Sequence, residues 1–140
     1  MPDKEYHPRS PCPIAAVLDV LGDRWTLLIV RDMMFRGFRE YGEFLEAGEG
    51  ISTNILAERL KRLVDSGIVT RQKNPADRKR VIYTLSKKGI DLMPAIFEMV
   101  EWGNKYFGHC KIPEGYKQAI QKNKPGLMLT LREKLLAELN

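Results

Sequence analysis

The chain has 140 residues, 44% of them hydrophobic and 29% charged, with a formal charge of +5. That is one domain's worth of sequence with enough apolar content for a core, which excludes a disordered polyelectrolyte. The stretch MPDKEYHPRSPCP has no apolar leader region, and the run Leu27 to Val30 is too short to cross a bilayer, so a cytoplasmic protein without a membrane partner is expected.

Residues 1–11 carry three prolines and read as a loose arm. Ile14, Val17, Leu18 and Leu21 then recur at helical spacing up to Gly22. Asp23 stands where a cap belongs, and RWTLLIVRDMMF, apolar on nearly every face, predicts a buried central helix. After Gly37, Tyr41, Phe44 and Leu45 mark a short helix, and AGEG makes a turn.

Ser52 is a capping residue for the next helix, whose inward stripe is Leu56, Leu60, Leu63 and Val64, closed by Gly67 as a C′ glycine. At about 100° per residue, Asn54, Glu58, Lys61, Arg62 and Asp65 point away from that stripe, with Thr53 near the exposed amino end. IVTRQK and RVIYTL, joined by NPADRK, predict a β-hairpin. Ser86 then caps a predicted long helix from about Lys87 to Phe107, kinked at Pro94, with Leu92, Ile96, Met99, Val100 and Phe107 as its apolar residues. Beyond Gly108 the pattern is irregular until Leu127, Leu131, Leu135 and Leu139, which predict an amphipathic terminal helix.

Charge is concentrated in residues 71–88, where seven Lys or Arg face only Asp77, a local balance of +6 that leaves the remainder near neutral. Such a footprint suits a polyanion. The element order, helix, helix, short helix, turn, capped helix, basic hairpin, long helix, is that of a winged helix-turn-helix: mainly α with a small β-hairpin wing (α+β). An α-helix fits the DNA major groove, and a basic hairpin beside it reaches backbone or minor groove.

On that reading Ser52 and Thr53 sit at a helix start that favours phosphate, Asn54 suits adenine, Glu58 suits a cytosine amino group, Arg59 or Arg62 suit guanine or phosphate, and Lys61 belongs to the same DNA-binding face. Arg78, Lys79 and Arg80 at the hairpin tip suit phosphate, although lysines and arginines also blunt an edge strand. The rival reading is a winged-helix protein-interaction module without specific DNA binding, because Glu58 and Asp65 on the outward face would repel phosphates. No glycine-rich phosphate loop, HExxH or nucleophile elbow is present, and the two histidines are His7 and His109, so neither an enzyme, a cofactor nor a metal site is expected.

The blocks CPIAAVLDVLGDRWTLLIVRDM, FREYGEFLEAGEGISTNILAERLKRLVDSGIVTR and RVIYTLSKKGIDLMPAIFEMVEWG resemble the HxlR-type branch of winged helix-turn-helix transcriptional regulators, relatives of the MarR group. The resemblance covers roughly residues 12–107. It implies a homodimer that binds a partly palindromic operator as a transcriptional repressor responsive to oxidative or electrophile stress. Ser52 to Ser66 would be the recognition helix and Val69 to Leu85 the wing, with the first helix and those after the wing pairing the subunits. Residues 12–107 would form the DNA-binding domain with dimerisation helices, and 108–140 a helical extension adding to the dimer. The tip NPADRKR is more charged than the proline-containing wing frequent in this family. Some members use a cysteine near position 12 to sense quinones, aldehydes or oxidants, making Cys12 a candidate redox sensor for an electrophile or other small-molecule effector. Arg9 and the helix start after Pro13 would both favour its thiolate, whereas the alternative is a small buried hydrophobe.

Overall fold

The computed structural model describes residues 9–139. The described residues divide into two compact units, one up to Gly89 and one from Ile90 onward.

The first unit begins with α1 (Pro13–Leu21), α2 (Thr26–Phe35), α3 (Tyr41–Leu45) and α4 (Thr53–Asp65). An antiparallel hairpin follows, β1 (Val69–Lys73) with β2 (Val81–Leu85), in the register Val69 to Leu85 through Lys73 to Val81. Its core is drawn from all of these elements: Leu21 of α1, Ile29, Val30 and Met33 of α2, Phe44 of α3, Leu56, Leu60 and Leu63 of α4, then Val69 and Leu85 of the hairpin. Phe44 meets Phe38 and Tyr83 edge-to-face, at ring-centre distances of 6.2 and 6.5 Å, which seats α3 against the hairpin.

Local chemistry fixes each boundary of α4. Ser52 Oγ accepts from the Ile55 N–H at 3.3 Å, as expected of the cap. At the other end Gly67 has φ +76°, and Ile68 N–H reaches the Leu63 carbonyl while Gly67 N–H reaches that of Val64. These two bonds make a Schellman ending, so the expected C′ glycine is present and turns the chain directly into β1. Gly89 is needed for a different reason: a Cβ there would stand 2.3 Å from the Ile68 carbonyl oxygen.

The predicted long helix is divided. Ser86 Oγ does accept from Gly89 N–H at 3.2 Å, but the helix it starts, α5 (Lys87–Ile90), is one turn, and α6 (Met93–Tyr106) is separate. Pro94 lies in the first turn of α6, where its missing N–H has no acceptor to satisfy, so it starts a helix instead of kinking one. In the second unit α6 buries Met93, Ile96 and Phe97, whereas Met99 and Phe107, two of the apolar residues of the predicted long helix, are 56% and 47% exposed. The last element, α7 (Glu114–Ala137), starts earlier than the leucine repeat suggested. It is interrupted at Asn123, whose Oδ1 accepts from Gly126 N–H at 3.1 Å and so caps the second stretch, with Pro125 tolerated in its first turn. No helix among the described residues is long and apolar enough to cross a membrane.

Candidate nucleic-acid interface

The helix-turn-helix formed by α3 and α4 is held by polar bonds at each joint. A capping box opens α3: Glu43 Oε1 accepts from the Glu40 N–H at 3.1 Å while the Glu40 side chain accepts from the Glu43 N–H. Tyr41 Oη donates to the Thr53 carbonyl at 3.0 Å, tying α3 to the first residue of α4. From α2, Arg31 reaches Glu49 at 3.0 Å and Arg36 reaches the Ala47 carbonyl at 3.0 Å, so both grip the intervening turn. Each also pairs with Asp32, which is 3% exposed. Burial pushes the Asp32 carboxyl up, and the two guanidiniums pull against that rise.

Ser52, Thr53, Asn54, Glu58 and Lys61 are all exposed on α4. The first-turn N–H groups of this helix have no acceptor within it and form the positive end of its dipole. Lys61 pairs with Asp65 one turn on, at 2.7 Å. Arg59 and Arg62, which the sequence reading sends toward DNA, turn instead to Asp23 at the start of α2. Arg59 Nε donates to Asp23 Oδ1 at 3.0 Å and Arg62 Nη1 to Oδ2 at 3.3 Å. Glu58 bridges the same two guanidiniums, closing a ring of two cations and two anions.

Asp23 also performs the capping expected of it, accepting from the N–H groups of Trp25 at 2.7 Å and Thr26 at 3.0 Å and from Thr26 Oγ1. Partial burial pushes its carboxyl up, but the bonds from Thr26, Trp25 and Arg59 outweigh that and hold its pKa at about 2.

The wing tip is shaped by two side-chain turns: Asn74 Oδ1 accepts from Ala76 N–H at 2.9 Å and Asp77 Oδ1 from Lys79 N–H at 3.1 Å. The side chains of Arg78 and Lys79 are exposed and have no partner among the described residues. Arg80 crosses to Glu40 at 2.5 Å and thereby fastens the wing to the start of α3. Arg71 and Lys73, which the sequence reading counts in the basic segment but does not single out, are also exposed and lie two apart on β1, hence on one face of the strand. That alternation was the signal that could have found them.

Cys12 is exposed and is the N-cap residue of α1, with its N–H donating to Ser10 Oγ at 3.1 Å, so the alternative of a buried hydrophobe does not hold. Arg9, expected beside the thiol, pairs with Asp19. Cys110 is exposed in the second unit. Among the described residues no group of three or more His, Cys, Asp or Glu is placed to hold a metal ion.

The family model for HxlR-like helix-turn-helix proteins matches residues 20–111. The uncharacterized HTH-type transcriptional regulator sll1512 of Synechocystis is 36% identical over 95 residues, covering 68% of this chain and 70% of that protein. The regulator Rv3095 of Mycobacterium tuberculosis is 37% identical over 102 residues, 73% of this chain but only 61% of its own length, so this chain spans less than two thirds of that relative. Among solved structures, the reduced form of the Bacillus subtilis regulator YodB matches with a TM-score of 0.58 and 34% identity, over 73% of this chain and all of that one. YodB has also been solved with quinone bound, and that form matches with a TM-score of 0.56 and 36% identity, over 68% of this chain and all of that one.

Proposed function

The chain belongs to the HxlR-like helix-turn-helix family of transcriptional regulators, and from that membership we propose that it is a homodimeric repressor of a partly palindromic operator. In this reading α4 enters the major groove and the wing follows the backbone beside it. The observation that carries it is the pairing of an exposed, capped α4 face with an exposed cationic hairpin fastened beside α3 by Arg80 and Glu40. Ser52 and Thr53 take a phosphate at the helix start, Asn54, Glu58 and Lys61 face the bases, and Arg78 and Lys79 take phosphates. The apolar residues left uncovered on α1, Ile14, Val17 and Leu18, and on α6, Met99, Trp102 and Tyr106, supply faces for a second copy of the chain.

Cys12 gives the regulator its input. YodB binds quinone, and an exposed thiol at a helix start is the feature through which this chain would answer an electrophile.

The test is anisotropy binding to duplex DNA from the flanks of this protein's own gene, against a scrambled duplex, at two salt concentrations. Tight, salt-sensitive preference for the flanking DNA is the expected result. Absence of binding to either duplex at low salt would overturn the reading in favour of a protein-interaction module.

A further inference from the structure

We infer that Asp23 is a specificity-determining positioning residue that withholds Arg59 and Arg62 from DNA phosphates, an inference resting on the groove-binding role proposed for α4. Asp23 is 36 and 39 residues away in sequence from the two arginines it holds. Its side chain is 19% exposed and receives five donors, three from the start of α2 and two from α4. The same carboxylate therefore starts one helix and fixes the side chains of the helix that reads DNA.

Arg62 lies about 40° round the helix from Glu58, at the edge of the face that carries Asn54 and Lys61. Its side chain is 38% exposed and long enough to swing outward once released. A flexible guanidinium at that edge finds phosphate next to any base sequence, and phosphate contacts add affinity without adding information. Held between Asp23 and Glu58, both arginines are charge-compensated, and Glu58 is kept oriented at the surface as an acceptor. Asp23 thus lowers indiscriminate binding while leaving Asn54 and Glu58 to discriminate.

Asp23→Asn tests this, because the amide oxygen still accepts from Trp25 and Thr26 N–H while the anion that holds the arginines is gone. On a scrambled duplex, the slope of log affinity against log salt should steepen by about 0.9 for each arginine that takes a phosphate. Affinity for that duplex at low salt should rise about fivefold, and the ratio of operator to scrambled affinity should fall. Adding Arg62→Gln to Asp23→Asn should recover most of the gain. Should Asp23→Asn fail to fold, Asp23→Ser, which keeps a capping oxygen but cannot reach α4, makes the same predictions.

A role confined to capping α2 would leave the salt slope and the discrimination ratio of the folded variant unchanged, and that result overturns the inference. A native protein whose binding shows no salt slope at all overturns the groove-binding reading itself, and the inference with it.

Discussion

Tyr41 and Thr53 are joined across the helix-turn-helix, the phenol of one donating to the backbone carbonyl of the other at 3.0 Å. Because Thr53 is the first residue of α4, this bond sets the position of the helix end proposed to meet DNA, through a partner on the bracing helix.

Tyr41→Phe keeps the ring and removes only that donor. The bond is exposed, so the expected loss of stability is about 0.5–1.5 kcal/mol, a drop of a few degrees in Tm. Operator affinity should fall while scrambled-duplex affinity is retained. Unchanged Tm together with unchanged operator affinity would remove the tether from the account.

Asn54 and Leu60 separate reading from holding. Asn54→Ala removes an exposed amide and should weaken operator binding by about 1–3 kcal/mol without moving Tm or scrambled-duplex affinity. Leu60 is 1% exposed, so Leu60→Ala should cost about 2–5 kcal/mol of stability before any effect on DNA is visible. Equal loss on both duplexes for Asn54→Ala would show that it does not read a base.

These residues were legible in the sequence because their signals are local. A stripe at helical spacing, a capping serine and a C′ glycine are all set within a few residues of one another, and α4 ends where they place it. What the sequence hid is of two kinds. Pro94 reads as a kink because the apolar pattern continues through it, whereas a proline satisfies a helix start better than a helix middle. The first part of α7, EGYKQAIQKN, has too little apolar periodicity to announce itself. The capture of Arg59 and Arg62 by Asp23 depends on a partner more than thirty residues away, which no local spacing encodes.

At the wing, exposure and partnership predict unequal effects among three neighbouring cations. Arg78→Ala and Lys79→Ala should each weaken binding to any duplex and reduce the salt slope by about one. Arg80 is engaged by Glu40, so Arg80→Ala should move the slope less and instead loosen the wing, raising hydrogen exchange in the hairpin. A slope change for Arg80→Ala as large as for its neighbours would assign it to phosphate.

Two aspartates should give stability opposite dependences on pH. The folded pKa of Asp23, about 2, lies below its ordinary value of 3.8, so its contribution is present above about pH 4 and is lost as pH falls toward 2. Its size is on the order of 2 kcal/mol, and the gap between native protein and Asp23→Asn should close on acidification. The Asp32 pKa is raised by burial, so its titration favours the fold at low pH and costs stability as pH rises through the folded value. The gap between native protein and Asp32→Asn should therefore narrow as pH rises. Urea midpoints from pH 2 to 6 decide it, and curves for both variants that run parallel to that of the native protein would refute both assignments.

The Cys12 thiol is exposed at the start of α1, and the apolar residues Ile14, Val17 and Leu18 follow it on the same helix. An adduct or disulfide at Cys12 would therefore form beside the α1 face proposed to pair with a second copy, changing the spacing of two α4 helices without touching either. Benzoquinone or diamide should then release the native protein from its operator, with a loss of affinity on the order of 10- to 100-fold, the usual range of such coupling. Cys12→Ser should bind the untreated operator as tightly as the native protein and resist release, while Cys110→Ser should be released like the native protein. Release of Cys12→Ser to the native extent would place the sensor elsewhere, and release of neither protein would leave this regulator without a thiol input.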